Sequence, residues 1–438
     1  MLNPLPSNGV PVSRRTSYNT HDPVTRNLHP VNTGSIKVLL LEGISQQAVN
    51  NISAAGYQVE SISKGLTDDE LIEKIKDVHA IGIRSKTNLT KKILEHAEKL
   101  IVIGCFCIGT NQVDLDFAAS RGISVFNSPF SNSRSVAELI IAEIVILSRM
   151  LGERIKEMAT GTWNKLSKNC NEIRGKTLGI IGYGHIGTQL SVLAEAMGMR
   201  VIYHDIAPLM PLGMSNQVQS LSDLLQNADF VSLHVPETPD TINMIGKAEI
   251  AQMKPGSFLL NASRGTVVDI PSLADALKAG HLAGAAIDVF PSEPLKNGNY
   301  FKSELIGCPN VIMTPHIGGS TEEAQRLIGI EVSTAIVKFI NNGTSTNAVN
   351  FPEVDLKAIP STDNTTLRIV NIHKNVPGVL QQLNSILSHY NVTKQVSDSR
   401  GDIAYFIADV TLTNSQDINP IYKGISSMNE NVITRVLF

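Results

Sequence analysis

The most constraining stretch of this chain is Ile180-Ile-Gly182-Tyr-Gly184-His-Ile-Gly187. An apolar run, Thr177–Gly182, leads into it, and a helical pattern running towards Met197 leads out. Three glycines at that spacing between a strand and a helix suit one local geometry. Gly182 permits a tight turn, Gly184 lets a pyrophosphate approach the backbone, and Gly187 lets the helix pack on the strand. The helix N-terminus then offers free N–H groups and a partial positive charge to phosphates. Asp205 closes the next apolar run, in Tyr203-His204-Asp205, near the ~20 residues at which a ribose-binding acid is expected. A carboxylate there accepts from the ribose hydroxyls and repels a 2′-phosphate, so the expected cofactor is NAD rather than NADP.

Further apolar runs follow, each closed by a Gly or a polar turn: Asp229–Val235, Ser257–Asn261, Leu282–Val289 and Val311–Thr314. With Thr177–Gly182 and Arg200–Asp205 they predict a six-stranded doubly wound sheet. A long helical stretch, Ser135 to Met150, precedes it. Its apolar run from Leu139 to Leu147 is interrupted by Glu143 and falls short of the ~20 residues that span a bilayer. It reads as a buried helix, and no membrane association is expected.

A chain of 438 residues, 42% hydrophobic, is too long for one ordinary core. Ile36-Lys-Val-Leu-Leu-Leu41 opens an alternation of β and α patterns that continues to about Val125, the mark of a parallel sheet. After His316 a helix from Thr321 to about Phe339 returns to that first domain. From Leu367 a small βαββαβ pattern begins, with Leu367–His373 and Tyr405–Val410 as strands and Val379–Leu387 and Ile418–Met428 as helices. The expected fold class is therefore α/β. A Rossmann-type NAD-binding domain (132–318) is inserted in a discontinuous flavodoxin-like substrate domain (35–131 and 319–357). A linker (358–366) leads to the C-terminal domain (367–438). Residues 1–34, with Pro4, Pro6, Pro11, Pro23 and Pro30 and no hydrophobic periodicity, read as a disordered tail. Within it Arg14-Arg15-Thr16-Ser17 has the pattern of a basophilic kinase site.

A net charge of −3 offers no polyanion-binding surface, so nucleic acid is not an expected partner. Cys105, Cys107, Cys170 and Cys308 do not make a secreted disulfide framework. Cys105 and Cys107 have no second pair or nearby His to complete a zinc site and read as buried thiols. No metal is expected, and a reducing, cytoplasmic location fits.

Three polar residues fall at the ends of late strands, where open α/β sheets place their ligands. Arg264 follows Asn261-Ala-Ser263, Glu293 lies in Phe290-Pro-Ser-Glu-Pro294, and His316 lies in Thr314-Pro-His-Ile-Gly-Gly319. Hydride exchange between a 2-hydroxy acid and nicotinamide needs a base for the hydroxyl proton, a cation for the neighbouring carboxylate, and a group that orients the base. His316, Arg264 and Glu293 supply these in turn.

These segments resemble the D-2-hydroxyacid dehydrogenase family, through Leu178–Gly187, Met253-Lys-Pro-Gly256 to Asn261-Ala-Ser-Arg-Gly265, and Pro315-His-Ile-Gly-Gly319. Ile83-Arg-Ser85 with Leu89-Thr90, Ile103 to Leu115, Asn127 to Leu139, Trp163-Asn-Lys165 and Gly284 to Phe290 are similar to its 3-phosphoglycerate dehydrogenase subgroup. The resemblance implies NAD-dependent oxidation of 3-phosphoglycerate to 3-phosphohydroxypyruvate in serine biosynthesis. It implies that Arg84, Ser85, Asn132 and Lys165 bind the substrate, with Arg134 and Lys86 nearby. It implies that His185 and Ile186 meet the pyrophosphate through their backbone. Ala262, Ser263, Arg264, Asp288, His316, Ile317, Gly318 and Gly319 would face the nicotinamide side. The C-terminal domain resembles an ACT domain, which implies L-serine as an allosteric inhibitor held by His373 and Asn375, and a homotetramer. A third serine position, usually Asn, reads Thr393. A hydroxyl there offers fewer hydrogen bonds than an amide, so serine inhibition is expected to be weak.

Two other readings exist for these motifs. One is another dehydrogenase of the same superfamily, acting on glyoxylate, lactate or 2-oxoglutarate; Arg84, Lys165 and the ACT-like tail favour the phosphorylated substrate, with 2-oxoglutarate reduction as a side activity. The other is a non-catalytic NAD-sensing scaffold, against which the complete Arg264, Glu293 and His316 set stands.

Overall fold

A computed structural model describes residues 16–21, 26–294, 298–360, 363, 365–412 and 418–437. They form two compact units, one made of the residues up to Pro129 together with those from Arg326 onward, the other of Phe130–Gln325. The sequence-based limits of 132–318 for the inserted unit fall a few residues inside these bounds. The C-terminal sheet clusters with the first domain rather than as a unit apart.

Residues expected to be disordered form two strands, β1 (Thr16–His21) and β2 (Arg26–Asn32). This corrects the reading of disorder for residues 16–21 and 26–34; residues 1–15, with Arg14 and Arg15 of the kinase-like motif, lie outside the described residues. The pairing needs only backbone. β1 adds antiparallel to the C-terminal strand β18 (Asn431–Leu437), Ser17 opposite Leu437, and β2 is outermost. Pro30 is tolerated because it falls in a bulge of that edge strand, between the Leu28–Asn19 and Val31–Ser17 pairs.

Strands β3 (Lys37–Leu40), β4 (Gln58–Ser61), β5 (Ala80–Ile83), β6 (Val102–Cys105) and β7 (Ser124–Phe126) form a parallel sheet in the order β4-β3-β5-β6-β7. That is the flavodoxin-like order. β5, β6 and β7 are buried throughout, as a parallel sheet covered on both faces requires. The chain returns to this sheet late: the Asn350 side chain accepts from the Val125 N–H at 2.8 Å, and Val349 N–H donates to the Val125 carbonyl. Cys105 is buried, whereas Cys107 is half-buried, its thiol donating to the Gly109 carbonyl.

In the second unit β8 (Thr177–Ile181), β9 (Arg200–His204), β10 (Asn216–Gln217), β11 (Phe230–Leu233), β12 (Phe258–Asn261), β13 (Gly284–Ile287) and β14 (Val311–Met313) run parallel in the order β10-β9-β8-β11-β12-β13-β14. Six match the predicted runs. The two-residue β10 is too short to show a pattern. The helix Ser133–Ser148 buries Val136, Ile140, Ile144 and Leu147 at helical spacing, against the sheet and the helix His185–Ala196.

The C-terminal sheet consists of β15 (Thr366–Lys374), β16 (Asn391–Arg400), β17 (Ile403–Thr411) and β18, all antiparallel, in the order β16-β17-β15-β18. Alternation sends Leu367, Ile369, Phe406 and Val436 towards the helices Val379–Leu387 and Ile418–Ser426. Val370, Ile372, Tyr405 and Ile433 go into the core that holds Val332, Ile336 and Phe339 of the helix Glu322–Asn342. Two buried arginines fasten the sheet to the end of that helix. Arg435 donates to the Phe339 and Ile340 carbonyls, and Arg368 pairs with Asp409 while donating to the Asn342 and Lys357 carbonyls. No helix of the described residues is long and apolar enough to cross a membrane.

Candidate active site

The glycine turn, Asp205, Arg264, Asp288, Glu293 and His316 of the second unit follow the C-terminal ends of its strands, in a sheet whose order reverses between β8 and β11. Gly182 follows β8 with φ +89°, a left-handed conformation, and a Cβ there would meet the His234 carbonyl oxygen at 2.4 Å. A Cβ on Gly187 would lie 2.3 Å from the Gly182 oxygen, so helix and strand touch backbone to backbone. Gly184, just before the first helical residue His185, differs: a Cβ there would meet nothing within 4 Å. That open cradle at a helix N-terminus fits a pyrophosphate. Ile186 packs against the core, and the His185 ring lies over Phe130 with centroids 3.7 Å apart. Asp205 follows β9 and reaches back to the turn, accepting from the Tyr183 N–H at 2.8 Å.

At the end of β12 the fully buried Asn261 ties a turn. Its Oδ1 accepts the Ser263 N–H and hydroxyl at 3.0 and 2.7 Å, and its Nδ2 donates to the Arg264 carbonyl at 3.0 Å. Ala262 is half-buried within this turn, which presents Arg264. Beyond β13, Glu293 accepts from the Phe290 N–H through Oε1 at 3.1 Å, and its Oε2 lies 2.8 Å from His316 Nδ1. With Nδ1–H donating to the carboxylate, Nε2 is the nitrogen left for a substrate. The Glu293 hydrogen bond holds the His316 imidazolium above the usual histidine range, against the opposing effect of burial. Burial pushes Glu293 up, but its bonds to His316 and the Phe290 N–H prevail and leave it below its ordinary value. The Arg264 charge acts on both groups, which brings all three predicted residues into one electrostatic cluster.

The His316 loop is held from beneath by Asp288, 1% exposed at the end of β13. Its carboxylate accepts the N–H groups of Ile317 and Gly318, both at 2.8 Å, and the Thr314 hydroxyl at 2.5 Å. Its carbonyl accepts the His316 N–H at 2.8 Å. His316 itself has φ +55°, unusual for a non-glycine residue. Asn132 is buried against the same loop, since a Cβ on Gly319 would meet its Nδ2 at 2.5 Å. Its Oδ1 has no partner among the described residues.

Lys165 is exposed, and Arg134 pairs with its helix neighbour Glu138. Arg84 and Ser85 belong to the other unit, after β5. Their loop has an organiser that sequence reasoning missed. Glu42, nearly buried at φ +66°, accepts the backbone N–H groups of Arg84, Lys86 and Thr87. The Glu42-Gly43 pair closing the first apolar run was the available signal. In the C-terminal sheet His373 is buried, bonded to Asn371 through Nδ1, and lowered by burial to about 4, so it is neutral at pH 7. Asn375 is exposed and donates to the Gly401 carbonyl, while Thr393 spends its hydroxyl proton on the Asp409 carbonyl. No group of three or more His, Cys, Asp or Glu among the described residues could hold a metal.

A phosphate-cradling turn joined to a carboxylate-backed histidine defines a dinucleotide-dependent dehydrogenase. Residues 141–318 match the model for the D-isomer specific 2-hydroxyacid dehydrogenase NAD binding domain. D-3-phosphoglycerate dehydrogenase 1 of Saccharomyces cerevisiae is 58% identical, over 94% of this chain and 89% of its own length. The D-3-phosphoglycerate dehydrogenase of Dictyostelium discoideum is 59% identical, over 92% and 97%. The NAD-complexed D-isomer specific 2-hydroxyacid dehydrogenase of Lactobacillus delbrueckii ssp. bulgaricus superposes with a TM-score of 0.63 at 26% identity, over 72% of this chain and all of its own. The chain belongs to the D-isomer specific 2-hydroxyacid dehydrogenases, in the family of the D-3-phosphoglycerate dehydrogenases. It is an NAD-dependent oxidoreductase.

Proposed function

We propose that this protein oxidises 3-phospho-D-glycerate to 3-phosphohydroxypyruvate with NAD, the first step of the phosphorylated route to L-serine. The observation that carries the chemistry is the 2.8 Å contact between His316 and Glu293, with Arg264 acting on both. Substrate identity is supported by relatives of that name at 58–59% identity along nearly the whole chain. Bound NAD supplies the acceptor for the hydride leaving C2. The chain's own residues manage the proton and the charges. His316 Nε2 takes the C2 hydroxyl proton, and Glu293 stabilises the imidazolium that results. Arg264 holds the substrate carboxylate and orients C2. Arg84, Ser85, Asn132 and Lys165 bind the remaining substrate groups, the phosphate above all, and Asp205 holds the ribose hydroxyls.

The C-terminal domain is of ACT type in this reading, binds L-serine through His373 and Asn375, and pairs across subunits of a homotetramer in the cytoplasm. Inhibition is weak, because Thr393 already donates within its own chain. Reduction of 2-oxoglutarate is a side activity in which a second carboxylate replaces the phosphate.

A spectrophotometric NADH assay tests this. Purified protein is given 3-phosphohydroxypyruvate, 2-oxoglutarate or glyoxylate, with and without serine. The first should be reduced with the highest kcat/KM. A preference for glyoxylate would overturn the substrate, and no turnover at all would favour a non-catalytic NAD-sensing scaffold.

A further inference from the structure

Glu143 is a buried acid that the chemistry above does not use. It is 2% exposed on the helix Ser133–Ser148, between Ile140, Ile144 and Leu147, and its Oε1 is sealed from solvent without a partner among the described residues. That helix packs on β13 and β14, the strands that end at Asp288 and lead into His316. Further along the same face, Val136 lies beside the loop: a Cβ on Gly318 would meet its Cγ2 at 3.3 Å. The same side of the helix thus carries a carboxyl oxygen without a partner among the described residues and a side chain placed beside the His316 loop.

We propose that Glu143 is a positioning residue: as a neutral acid it leaves the Asp288 carboxylate undisturbed in its grip on the His316 loop, and on ionising it loosens that loop. Burial pushes the Glu143 carboxyl up to about 8, and the Asp288 carboxylate adds to the rise. At pH 7 Glu143 is therefore neutral, and the Asp288 carboxylate keeps its two N–H groups and one hydroxyl undisturbed. A second charge in so poorly solvated a place has no such compensation, and two like charges there repel strongly. Relief comes by moving Asp288 away from Glu143, which weakens its hold on the Ile317 and Gly318 N–H groups. His316, in its left-handed conformation, persists only while its surroundings impose it.

Other charged groups around this helix are engaged elsewhere. Arg134 pairs with Glu138, Arg154 with Glu157 and Lys156 with Glu153. On the helix His185–Ala196, His185 lies over Phe130 and Glu195 accepts the Met214 N–H. β14 carries no charged residue, and Asp288 is the charged group that acts on Glu143.

The inference rests on His316 as the base, and oxidation kinetics separate the two. Measured from pH 6 to 10, kcat/KM for oxidation should rise as His316 loses its proton, then fall above about 8 as Glu143 ionises. Glu143→Gln, which cannot ionise, should rise likewise but lack the fall. Should that variant fail to bind NADH, hydrogen–deuterium exchange on the wild-type protein decides. Protection of the Ile317 and Gly318 amides, corrected for intrinsic pH dependence, should be lost over the same range. An alkaline fall that persists in Glu143→Gln, or amide protection constant from pH 7 to 10, overturns the proposal. Failure of the base assignment would show instead in the rising limb.

Discussion

Glu42 accepts the backbone N–H of Thr87 at 2.8 Å, inside a stretch that also gives it the N–H groups of Arg84 and Lys86. The loop proposed to bind the substrate phosphate is thus shaped by the Glu42 carboxylate through backbone bonds. Glu42→Ala would leave these donors unmet, at ~1–3 kcal/mol for each one that stays buried. The KM for 3-phosphoglycerate should rise by about tenfold or more, while NADH affinity holds, because the dinucleotide turn lies in the other unit. Steady-state kinetics and NADH fluorescence titration check this; an unaltered KM would remove the role given to Glu42.

The Glu293 carboxylate favours protonated His316 and raises its pKa. The acid form needed for reduction therefore persists to higher pH than an isolated histidine would allow. Glu293→Gln lowers that pKa, so the pH profile of 3-phosphohydroxypyruvate reduction should begin to fall at lower pH. His316→Ala should cut turnover by a factor on the order of 10² or more with NADH binding nearly intact. An unshifted profile in Glu293→Gln would show that the pair does not set the proton chemistry.

The two glycines of the turn should fail differently. Gly187→Ala forces a Cβ to 2.3 Å from the Gly182 oxygen. It should lower Tm and abolish NADH binding together. Gly184→Ala meets open space in the protein alone, so it should melt as the wild type does yet bind NADH more weakly. Thermal denaturation and NADH titration separate the two. Equal loss of Tm in both would mean that the space at Gly184 is not a ligand cradle.

Arg368 is 1% exposed and paired in two places with Asp409, at 2.7 and 2.8 Å. Removing one partner of a buried ion pair typically costs ~3–5 kcal/mol, because the other charge stays behind. Arg368→Ala should lower Tm markedly and release the C-terminal sheet from the Glu322–Asn342 helix. Limited proteolysis near residues 357–366 should then cut faster than in the wild type. Wild-type Tm and cleavage rate would count against the latch.

β8, β11, β12 and β13 were legible because each is a short apolar run buried nearly throughout. The glycine turn, Asp205, Arg264, Glu293 and His316 were legible because their chemistry demands particular residue types at strand ends. The hairpin of β1 and β2 was not. It owes its place to the free edge of β18, a partner more than 400 residues away in sequence, and edge pairing leaves no hydrophobic pattern behind. β16 was nearly as hidden, since most of its residues are exposed.

Local sequence determined which elements form and which side chains stand at their ends, since turn chemistry and burial periodicity act over a few residues. Tertiary structure alone decided that Glu42 organises the Arg84 loop, that Asp288 grips the His316 loop, and that Glu143 is buried with its Oε1 unpartnered among the described residues. Hydrogen bonding and desolvation depend on distance in space, and no spacing along the chain encodes which distant groups will share a water-poor interior.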